Sequence, residues 1–325
     1  MRTTLSFYRY LAVPAPEALR DALRERLGAL GARGRVYVAR EGVNAQLDLP
    51  TDRLGDLRAA LDALPGLADL RLNLARDATG LPASFRKLVV RTRAKIVADG
   101  LDDDAAFDPA AAGTHLDAAA FNALAERPDA VVVDMRNHYE SEVGHFAGAV
   151  LPQVDTFRES LPAVEELLAD RRESPVLMYC TGGIRCEKAS AWLRHRGFRE
   201  VYQLDGGIIE YARQVEEGGL ENRFRGKNFV FDDRLGERIG PEVISRCHQC
   251  GGPCDTHVNC ANDHCHLLFL QCEACAKTYR GACSTACAEF AALPREERRA
   301  RAGARRFNGS RHPQAHYRGG EGLLS

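Results

Sequence analysis

The sequence predicts a multidomain α/β protein that ends in a cysteine-rich segment. Strand-like apolar stretches alternate with helical spacing in residues 1–97 and again in residues 117–222. Nine of the eleven cysteines lie between Cys247 and Cys287. The length of 325 residues is enough for two or three domains. A hydrophobic content of 45% with 27% charged residues is ordinary for a globular protein.

Residues 1–97 contain six predicted elements. In chain order they are the strand LSFYRYLAV, the helix PEALRDALRERLGAL, the two strands of GRVYVAREGVNAQLDL joined through Glu41-Gly42, the helix RLGDLRAALDAL and the closing strand FRKLVVRTRAKIV. The order β-α-β-β-α-β is that of the split βαβ, or ferredoxin-like, arrangement. Arg91 and Arg93 alternate with apolar residues in the last strand, which predicts a basic face. That face is either a solvated edge or an RNA contact.

Residues 98–116 are acidic and rich in alanine, and we interpret them as a linker. Residues 117–222 form the second predicted α/β domain. Its segments are the strand AVVVDMR, the strand PVLMYC, the helix CEKASAWLRHRG, the strand VYQLDGG and the helix GIIEYARQVEE. Strands that alternate with helices predict a parallel sheet covered on both faces, with sites at the carboxyl ends of the strands. Cys180 lies at such an end.

The loop that begins at Cys180 has the composition of a reactive thiol site. Thr181, Gly182, Gly183, Ile184 and Arg185 follow the cysteine and lead into a helix. Glycines allow successive N–H groups to converge on one point, and a helix N-terminus adds positive potential there. Such surroundings lower a thiol pKa, so Cys180 is predicted to be a sulfur nucleophile or to carry a persulfide. A buried, inert cysteine is the simpler alternative.

Three separated motifs in this domain resemble those of rhodanese-type sulfurtransferases. They are the loop from Cys180 to Arg185, the upstream run Asp134-Met135-Arg136-Asn137 with Gly144-His145-Phe146-Ala147-Gly148-Ala149, and the downstream run Leu204-Asp205-Gly206-Gly207-Ile208. The loop holds six residues from cysteine through arginine, as in the sulfurtransferases. The related dual-specificity phosphatases use one more, so the count favours sulfur chemistry over phosphate chemistry.

The whole chain is similar to the bacterial tRNA uridine-34 hydroxylases, the rhodanese-related UPF0176 group. The likeness rests on REGVNAQL in the first domain, CTGGIRCEKASAWL in the second and CHQCGGPCDTHVNCANDHC in the cysteine-rich segment. It implies an enzyme that makes 5-hydroxyuridine at the wobble position of tRNA with molecular oxygen as co-substrate. Two alternatives stay open, a sulfurtransferase that passes persulfide sulfur to an acceptor and a non-catalytic RNA- or protein-binding module.

Several residues near the loop have two interpretations. Cys186 could resolve an oxidised or persulfidated Cys180, or simply pack as a small side chain. Asp134 and Arg136 are expected to support the loop by hydrogen bonds, with Arg136 alternatively lining the mouth of the site. His145 is predicted to fix the fold, and His138 to lie in an exposed loop.

The cysteine cluster in residues 223–290 predicts a metal site. Cys247 and Cys250 form one C-x₂-C pair, and Cys272 and Cys275 form another, close to zinc-ribbon spacing. Nine thiols suffice for one or two sites, and zinc is the favoured ion. Disulfides, metal-free packing and an iron–sulfur cluster are the alternatives. The sequence shows no flavin or nicotinamide fingerprint.

The remaining signals concern partners and location. From Leu293 to Arg318 there are eight arginines against two glutamates, although the net charge of the chain is −1. This basic tail, residues 291–325, suggests tRNA contact through residues such as Arg305 and Arg306, or else a solvated end. The sequence predicts neither a signal peptide nor a membrane span, so a cytoplasmic protein is expected. The oligomeric state is not predicted.

Overall fold

The computed structural model describes residues 1–75, 84–101, 107–108, 111–301, 306–311, 316–317 and 323. The strands are β1 (Arg2–Tyr10), β2 (Arg33–Ala39), β3 (Gly42–Pro50), β4 (Asn73–Leu74), β5 (Leu88–Thr92), β6 (Thr114–Leu116), β7 (Val131–Asp134), β8 (Gly144–Phe146), β9 (Val176–Tyr179), β10 (Val201–Leu204), β11 (Phe224–Asn228), β12 (Glu237–Arg238), β13 (His257–Asn259) and β14 (Leu268–Leu270). The helices are α1 (Pro16–Ala29), α2 (Leu54–Asp62), α3 (Ala118–Ala125), α4 (His138–Val143), α5 (Phe157–Leu167), α6 (Ile184–His195), α7 (Gly207–Gly218), α8 (Glu273–Tyr279), α9 (Thr285–Ala291), α10 (Arg295–Arg301) and α11 (Asn308–Arg311).

These elements form two compact units. The first unit comprises Met1–Arg136, Gly148–Arg223 and Val230–Arg234, and it holds both α/β domains. The second unit comprises Asn137–Ala147, Phe224–Phe229 and Leu235–Ser325, and it holds the cysteine-rich segment.

The N-terminal domain of the first unit is a five-stranded sheet in the order β4-β1-β3-β2-β5. In β1, Leu5 and Phe7 are buried and pack with leucines of α1 and α2, while Ser6 and Tyr8 point to the opposite face because strand side chains alternate. The predicted β-α-β-β-α-β order is confirmed by β1 through β4. The predicted closing strand does not take the fourth strand position of this arrangement. It is β5, an additional strand that pairs in parallel with β2, whereas the short β4 takes the fourth position beside β1.

The second domain of the first unit contains the predicted parallel sheet, in the order β6-β10-β9-β7. The edge strand β6 is formed by residues 114–116, which were predicted to belong to the linker. Its main chain pairs with β10 even though its side chains are largely exposed, so no apolar pattern marks it. The central strand β9 is buried along its whole length, as expected for a strand covered on both faces.

The second unit begins with α4 and β8 and continues from β11. Here β8, β11 and β12 form a small sheet, and β13 pairs with β14. His138 is buried in α4, with Nε2 3.0 Å from the Tyr317 carbonyl oxygen, so the prediction of an exposed loop is wrong for this residue. His145 lies in β8, where Nδ1 is 2.7 Å from the Ser141 carbonyl oxygen and ties the strand to α4.

Candidate active site and candidate metal centres

Cys180 lies between β9 and α6, at the carboxyl end of the central strand of the parallel sheet. Only 1% of the residue is exposed. The Gly183 N–H donates to Cys180 Sγ over 3.1 Å. Gly183 has a φ of +98°, and a Cβ there would lie 2.6 Å from Tyr8 Oη. The tight curl of the loop over the sulfur therefore requires glycine at this position.

The start of α7 holds the other side of the loop. Ile208 N–H donates to the Cys180 carbonyl oxygen over 3.0 Å, and Ile209 N–H donates to that of Thr181 over 3.2 Å. A Cβ on Gly207 would lie 2.5 Å from the Cys180 carbonyl oxygen. The downstream motif thus fixes the backbone of the cysteine loop through the first N–H groups of a helix.

The electrostatics of the loop favour the thiolate form of Cys180. Burial raises the pKa of this thiol, but a hydrogen bond from Cys186, the charge of Arg185 and the N–H groups of both residues outweigh it and bring the pKa to about 6. The pKa of Cys186 is raised well above its usual value, first by burial and then by Cys180. At neutral pH, Cys180 is therefore the thiolate and Cys186 the protonated hydrogen-bond donor.

Arg185 is the last residue of the predicted loop and lies in the first turn of α6. It is 8% exposed, and its Nη2 is 3.4 Å from Thr181 Oγ1. Its guanidinium carbon lies 5.8 Å from the centroid of the Phe231 ring. Arg185 therefore supplies positive charge next to the thiolate while bracing the loop.

Asp134 and Arg136 lie at the end of β7 and are completely buried. Arg136 Nε and Nη2 donate to the Asp134 carboxylate over 2.9 and 2.6 Å. The guanidinium also lies 5.7 Å from the centroid of the Tyr179 ring, which directly precedes Cys180. This position favours the supporting role over the pocket-mouth role for Arg136.

A cavity of about 250 Å³ opens beside Cys180 within the first unit. One wall is the cysteine loop, and the opposite wall is the N-terminal sheet. The lining residues of the sheet include Ser6, Tyr8, Tyr37, Asn44, Gln46 and Asn73, and further lining residues include Phe85, Ile184, Arg185, Val230, Phe231 and Arg234.

The polar wall of this cavity was not predicted from the sequence. Asn44 and Gln46 alternate with the buried Val43, Ala45 and Leu47 in β3. Polar residues two positions apart mark one face of a strand. This alternation was a usable signal, but by itself it equally describes a face in contact with water.

A hydrogen-bond network around Glu187 links the N-terminal sheet to α6. Tyr8 Oη donates to Glu187 Oε1 over 3.0 Å, and Gln203 Nε2 donates to Oε2 over 2.9 Å. His115 Nε2 lies 3.0 Å from the same carboxylate, and this hydrogen bond raises the pKa of His115. Burial raises the pKa of Glu187, but the hydrogen bonds from His115 and Gln203 lower it overall. The carboxylate therefore stays ionised and holds Tyr8 against the cysteine loop.

The next residue of α6, Lys188, is also buried and paired. Its Nζ donates to Asp99 and lies 2.8 Å from Glu41 Oε2. Glu41 belongs to the β2–β3 turn of the N-terminal domain, and its Oε1 accepts from the Ile96 N–H over 2.7 Å. The helix that follows the reactive loop is thus attached to the N-terminal domain by buried charges.

The second unit brings the predicted metal ligands together. The sulfur atoms of Cys247, Cys250, Cys272 and Cys275 all lie within 4.8 Å of one another. The Cys272 N–H donates to Cys247 Sγ over 3.4 Å. Two C-x₂-C turns that face each other are the usual construction of a tetrahedral thiolate site.

A second four-cysteine cluster lies in the same unit and was not assigned from spacing. It consists of Cys260, Cys265, Cys283 and Cys287, which are all buried and again within 4.8 Å of one another. Its members form a C-x₄-C pair and a C-x₃-C pair, and these spacings alone do not single out these four thiols among the nine. Cys254 is the ninth cysteine of the segment. It is buried beside Cys247 and Cys275 of the first cluster and belongs to neither cluster.

The second cluster has the hydrogen bonds expected of metal-bound thiolates. Each sulfur accepts at least one N–H donor. The donors and their distances are the Cys283 main chain to Cys260 at 3.3 Å, the Gly309 main chain to Cys265 at 3.2 Å, Asn308 Nδ2 to Cys283 at 3.3 Å and Asn262 Nδ2 to Cys287 at 3.4 Å. Such donors orient ligands and stabilise charge on sulfur. None of the eleven cysteines forms a disulfide in the structure, so disulfides do not account for either cluster.

The predicted RNA contacts lie partly within the described residues. Arg91 and Arg93 are exposed at and just after the end of β5, and Arg306 is exposed ahead of α11. Arg305 lies outside the described residues. The Arg93 guanidinium carbon is 5.3 Å from the centroid of the Tyr37 ring, which lines the cavity.

Comparison with known proteins agrees with this architecture. Family models match residues 2–96 as a UPF0176 acylphosphatase-like domain, residues 117–214 as a rhodanese-like domain and residues 225–288 as a rhodanese C-terminal domain. The fold and the cysteine loop therefore define a rhodanese-type protein with an acylphosphatase-like N-terminal domain.

Full-length relatives narrow the assignment. The chain is 52% identical over 312 residues to the tRNA uridine(34) hydroxylase of Enterobacter sp. (strain 638), covering 95% of this chain and 88% of that protein. It is 55% identical over 299 residues to the tRNA uridine(34) hydroxylase of Sodalis glossinidius, covering 92% and 84%. The chain belongs to the tRNA uridine(34) hydroxylase family. Within the part of the chain that the structure describes, no helix has the length and apolarity that a bilayer crossing requires.

Proposed function

We propose that this protein hydroxylates uridine 34 of tRNA and that Cys180 is its reactive thiol. The observation that carries the proposal is the cavity beside Cys180. The pKa of the Cys180 thiol is lowered, and polar and aromatic side chains line the same cavity. Membership of the hydroxylase family supplies the substrate. Action on tRNA would place the protein in the cytoplasm.

The chemistry assigns separate roles to the loop residues. The Cys180 thiolate, or a persulfide carried on it, adds to the pyrimidine ring and makes C5 electron-rich, so that C5 can react with molecular oxygen. One oxygen atom is retained at C5 and the other leaves as water, using two electrons and two protons from a reductant. Loss of the proton on C5 then expels the sulfur from the ring, which restores the ring double bond and releases the Cys180 thiolate or persulfide. Thr181, Gly182, Gly183, Ile184 and Arg185 form the loop around the sulfur. Gly183 and Arg185 contribute N–H groups, and Arg185 adds positive charge. Cys186 keeps Cys180 ionised by donating a hydrogen bond.

The basic strand is suited to guide the RNA towards this cavity. Arg91 is paired in register with Tyr37, so its side chain projects from the sheet face that lines the cavity. Arg93 contacts Tyr37 directly. Guanidinium groups bind phosphate oxygens well, so this edge is one proposed phosphate contact. Arg306, in the second unit, is a separate proposed contact.

The cysteine clusters are proposed to hold one zinc ion each. Four thiolates within bonding reach of a common centre fit the tetrahedral preference of Zn²⁺, and the N–H donors around the second cluster support this assignment. The ions would cross-link the short strands and helices of this unit, which is a structural role. An iron–sulfur cluster in place of zinc remains the alternative, and elemental analysis distinguishes them.

The direct test is nucleoside mass spectrometry of tRNA from cells that lack this protein. Wild type is expected to restore 5-hydroxyuridine-derived nucleosides, and Cys180→Ser is expected not to restore them. Restoration by both would remove Cys180 from the mechanism. If neither restores them although both are expressed, the hydroxylase function itself is wrong.

A sulfurtransferase function is the second candidate, because the loop has six residues from Cys180 through Arg185. This function predicts fast thiosulfate:cyanide turnover that depends on Cys180 and an unchanged tRNA nucleoside profile on deletion. A non-catalytic binding module would show neither activity.

A further inference from the structure

We infer that Asn73 and Tyr10 of the N-terminal domain are positioning residues for the Cys180 thiolate, because they hold two loop peptide groups that donate to its sulfur. This inference rests on the proposed role of Cys180 as the reactive thiol, and it extends that role to the N-terminal domain. Each side chain contacts the carbonyl oxygen of a peptide group, and the N–H of the same peptide group faces the sulfur.

The first of these peptide groups joins Gly182 to Gly183. Its carbonyl oxygen accepts from Asn73 Nδ2 over 3.3 Å, and its N–H donates to Cys180 Sγ over 3.1 Å. The group is planar and trans, so its C=O and N–H bonds point in opposite directions. Asn73 therefore approaches the group from the side opposite the sulfur. Because the group is rigid, holding its oxygen also fixes the direction of its N–H.

The second peptide group joins Ile184 to Arg185. Its carbonyl oxygen accepts from Tyr10 Oη over 3.2 Å, and its N–H is one of the donors to the Cys180 thiolate. Burial raises the pKa of Tyr10 well above its usual value, so the phenol keeps the proton that it donates. The same construction therefore occurs twice in the loop, at peptide groups two residues apart.

Tyr8 contacts the loop between the two peptide oxygens. A Cβ on Gly183 would lie 2.6 Å from Tyr8 Oη, so the phenol packs directly on this residue. Tyr8 and Tyr10 are two residues apart in β1 and project from the same face, with their ring centroids 6.4 Å apart. Together with Asn73 in β4, the strand contacts three consecutive residues of the loop.

Hydrogen bonds at the two ends of a peptide group reinforce each other. A donor on the carbonyl oxygen draws electron density away from the N–H, which makes the N–H a stronger donor. The effect is greatest where water is excluded, and Cys180 and Asn73 are both buried. A thiolate gains more from such donors than a thiol does, because hydrogen bonds to a charged acceptor are stronger. The contacts of Asn73 and Tyr10 therefore stabilise the thiolate form over the thiol.

The test measures the pH dependence of Cys180 alkylation by iodoacetamide in the whole chain, followed on the Cys180 peptide by mass spectrometry. Tyr10→Phe removes one hydroxyl group, and Asn73→Ala removes one amide. Each variant is expected to react roughly threefold more slowly than wild type on the acid side of the midpoint, because less of the thiol is ionised. The rate on the alkaline plateau should stay at the wild-type value. Tyr202→Phe, which removes a hydroxyl that hydrogen-bonds Glu200 away from the cavity, is the matched control and should keep the wild-type profile.

The outcomes separate this inference from the proposed function. Wild-type profiles in both variants overturn it, and Tyr10→Phe, which loses a single oxygen atom, decides the result if Asn73→Ala does not fold. A faster rate on the alkaline plateau also overturns it, because the side chains then only keep the loop closed over the sulfur. The assay contains no tRNA, so it does not depend on the hydroxylase function. If Cys180→Ser restores hydroxylation in cells, the catalytic role of Cys180 fails, whatever the alkylation profiles show.

Discussion

At the scale of single residues, Cys180 is governed by two opposing effects. A buried thiol is normally harder to ionise because the charged form loses its water. Here the loop replaces that water with N–H groups and the thiol of Cys186, and Arg185 adds positive charge. The donors prevail, and the pKa falls to about 6. Burial and reactivity are therefore compatible at this site.

Alkylation of Cys180 should reveal this balance. The rate of reaction with iodoacetamide, followed on the Cys180 peptide by mass spectrometry, should rise with pH through a midpoint near 6 because the thiolate is the nucleophile. Cys186→Ala removes a donor to the thiolate and should move the midpoint to higher pH. Cys186→Ser keeps a donor and should stay closer to wild type. A wild-type midpoint at the ordinary thiol pKa would contradict the geometry.

At the scale of elements, α6 joins the two domains of the first unit. It begins at the reactive loop, and it carries Glu187 and Lys188 into contact with the N-terminal domain. Lys188 is buried and Glu187 is partly buried, and burial of an ion pair is tolerated only with good geometry on both partners. The short segment CEKASAWL therefore serves both the chemistry and the attachment of the domains.

Removing the Lys188 charge should destabilise the first unit strongly. Lys188→Met leaves the buried Asp99 and the partly buried Glu41 with one cation fewer, which is expected to lower the free energy of unfolding by about 3 kcal/mol. Urea denaturation followed by the fluorescence of Trp192, the single tryptophan and a residue of α6, measures this. Lys87→Met at an exposed lysine should change stability by less than about 0.5 kcal/mol. Equal effects of the two variants would refute the role of the buried pair.

The second cysteine cluster depends on α11 as well as on its ligands. A Cβ on Gly309 would lie 1.6 Å from the Cys265 carbonyl oxygen, and the Gly309 N–H donates to Cys265 Sγ. Gly309→Ala and Cys260→Ser are both expected to reduce bound zinc from two ions per chain to one, measured by elemental mass spectrometry. Gly28→Ala, where a Cβ has open space, is the control. Full zinc content in Cys260→Ser would show that this cluster is not a metal site.

At the scale of the whole molecule, one sheet face of the first unit has a basic edge and also forms a wall of the cavity beside Cys180. The row that contains Arg91, Tyr37, Asn44 and Tyr8 runs across four strands from the basic edge to the cysteine loop. A positive edge next to a cavity can attract a polyanion and guide it to the reactive group. The chain as a whole is nearly neutral, so any such attraction must be local.

The salt dependence of tRNA binding tests this surface. The logarithm of the association constant should fall with the logarithm of salt concentration, and each lost phosphate contact should reduce the slope by about 0.9. Arg91→Gln combined with Arg93→Gln should weaken binding and flatten the slope, whereas Arg20→Gln on α1 should not. If the double variant keeps the wild-type slope, these arginines do not contact phosphate.

The sequence by itself determined the α/β class, most strand and helix positions, the Cys180 loop and the first four-cysteine set, because these depend on local periodicity and short spacings. Three features depended on tertiary structure. The edge strands β4 and β6 are short and lack an apolar pattern. The sheet face that carries Gln46, Ser6 and Asn73 joins residues distant in sequence, and nothing local shows that this polar face meets a cavity rather than water. The second cluster gathers a C-x₄-C pair and a C-x₃-C pair by folding, because these spacings alone do not show which four of the nine thiols share a site.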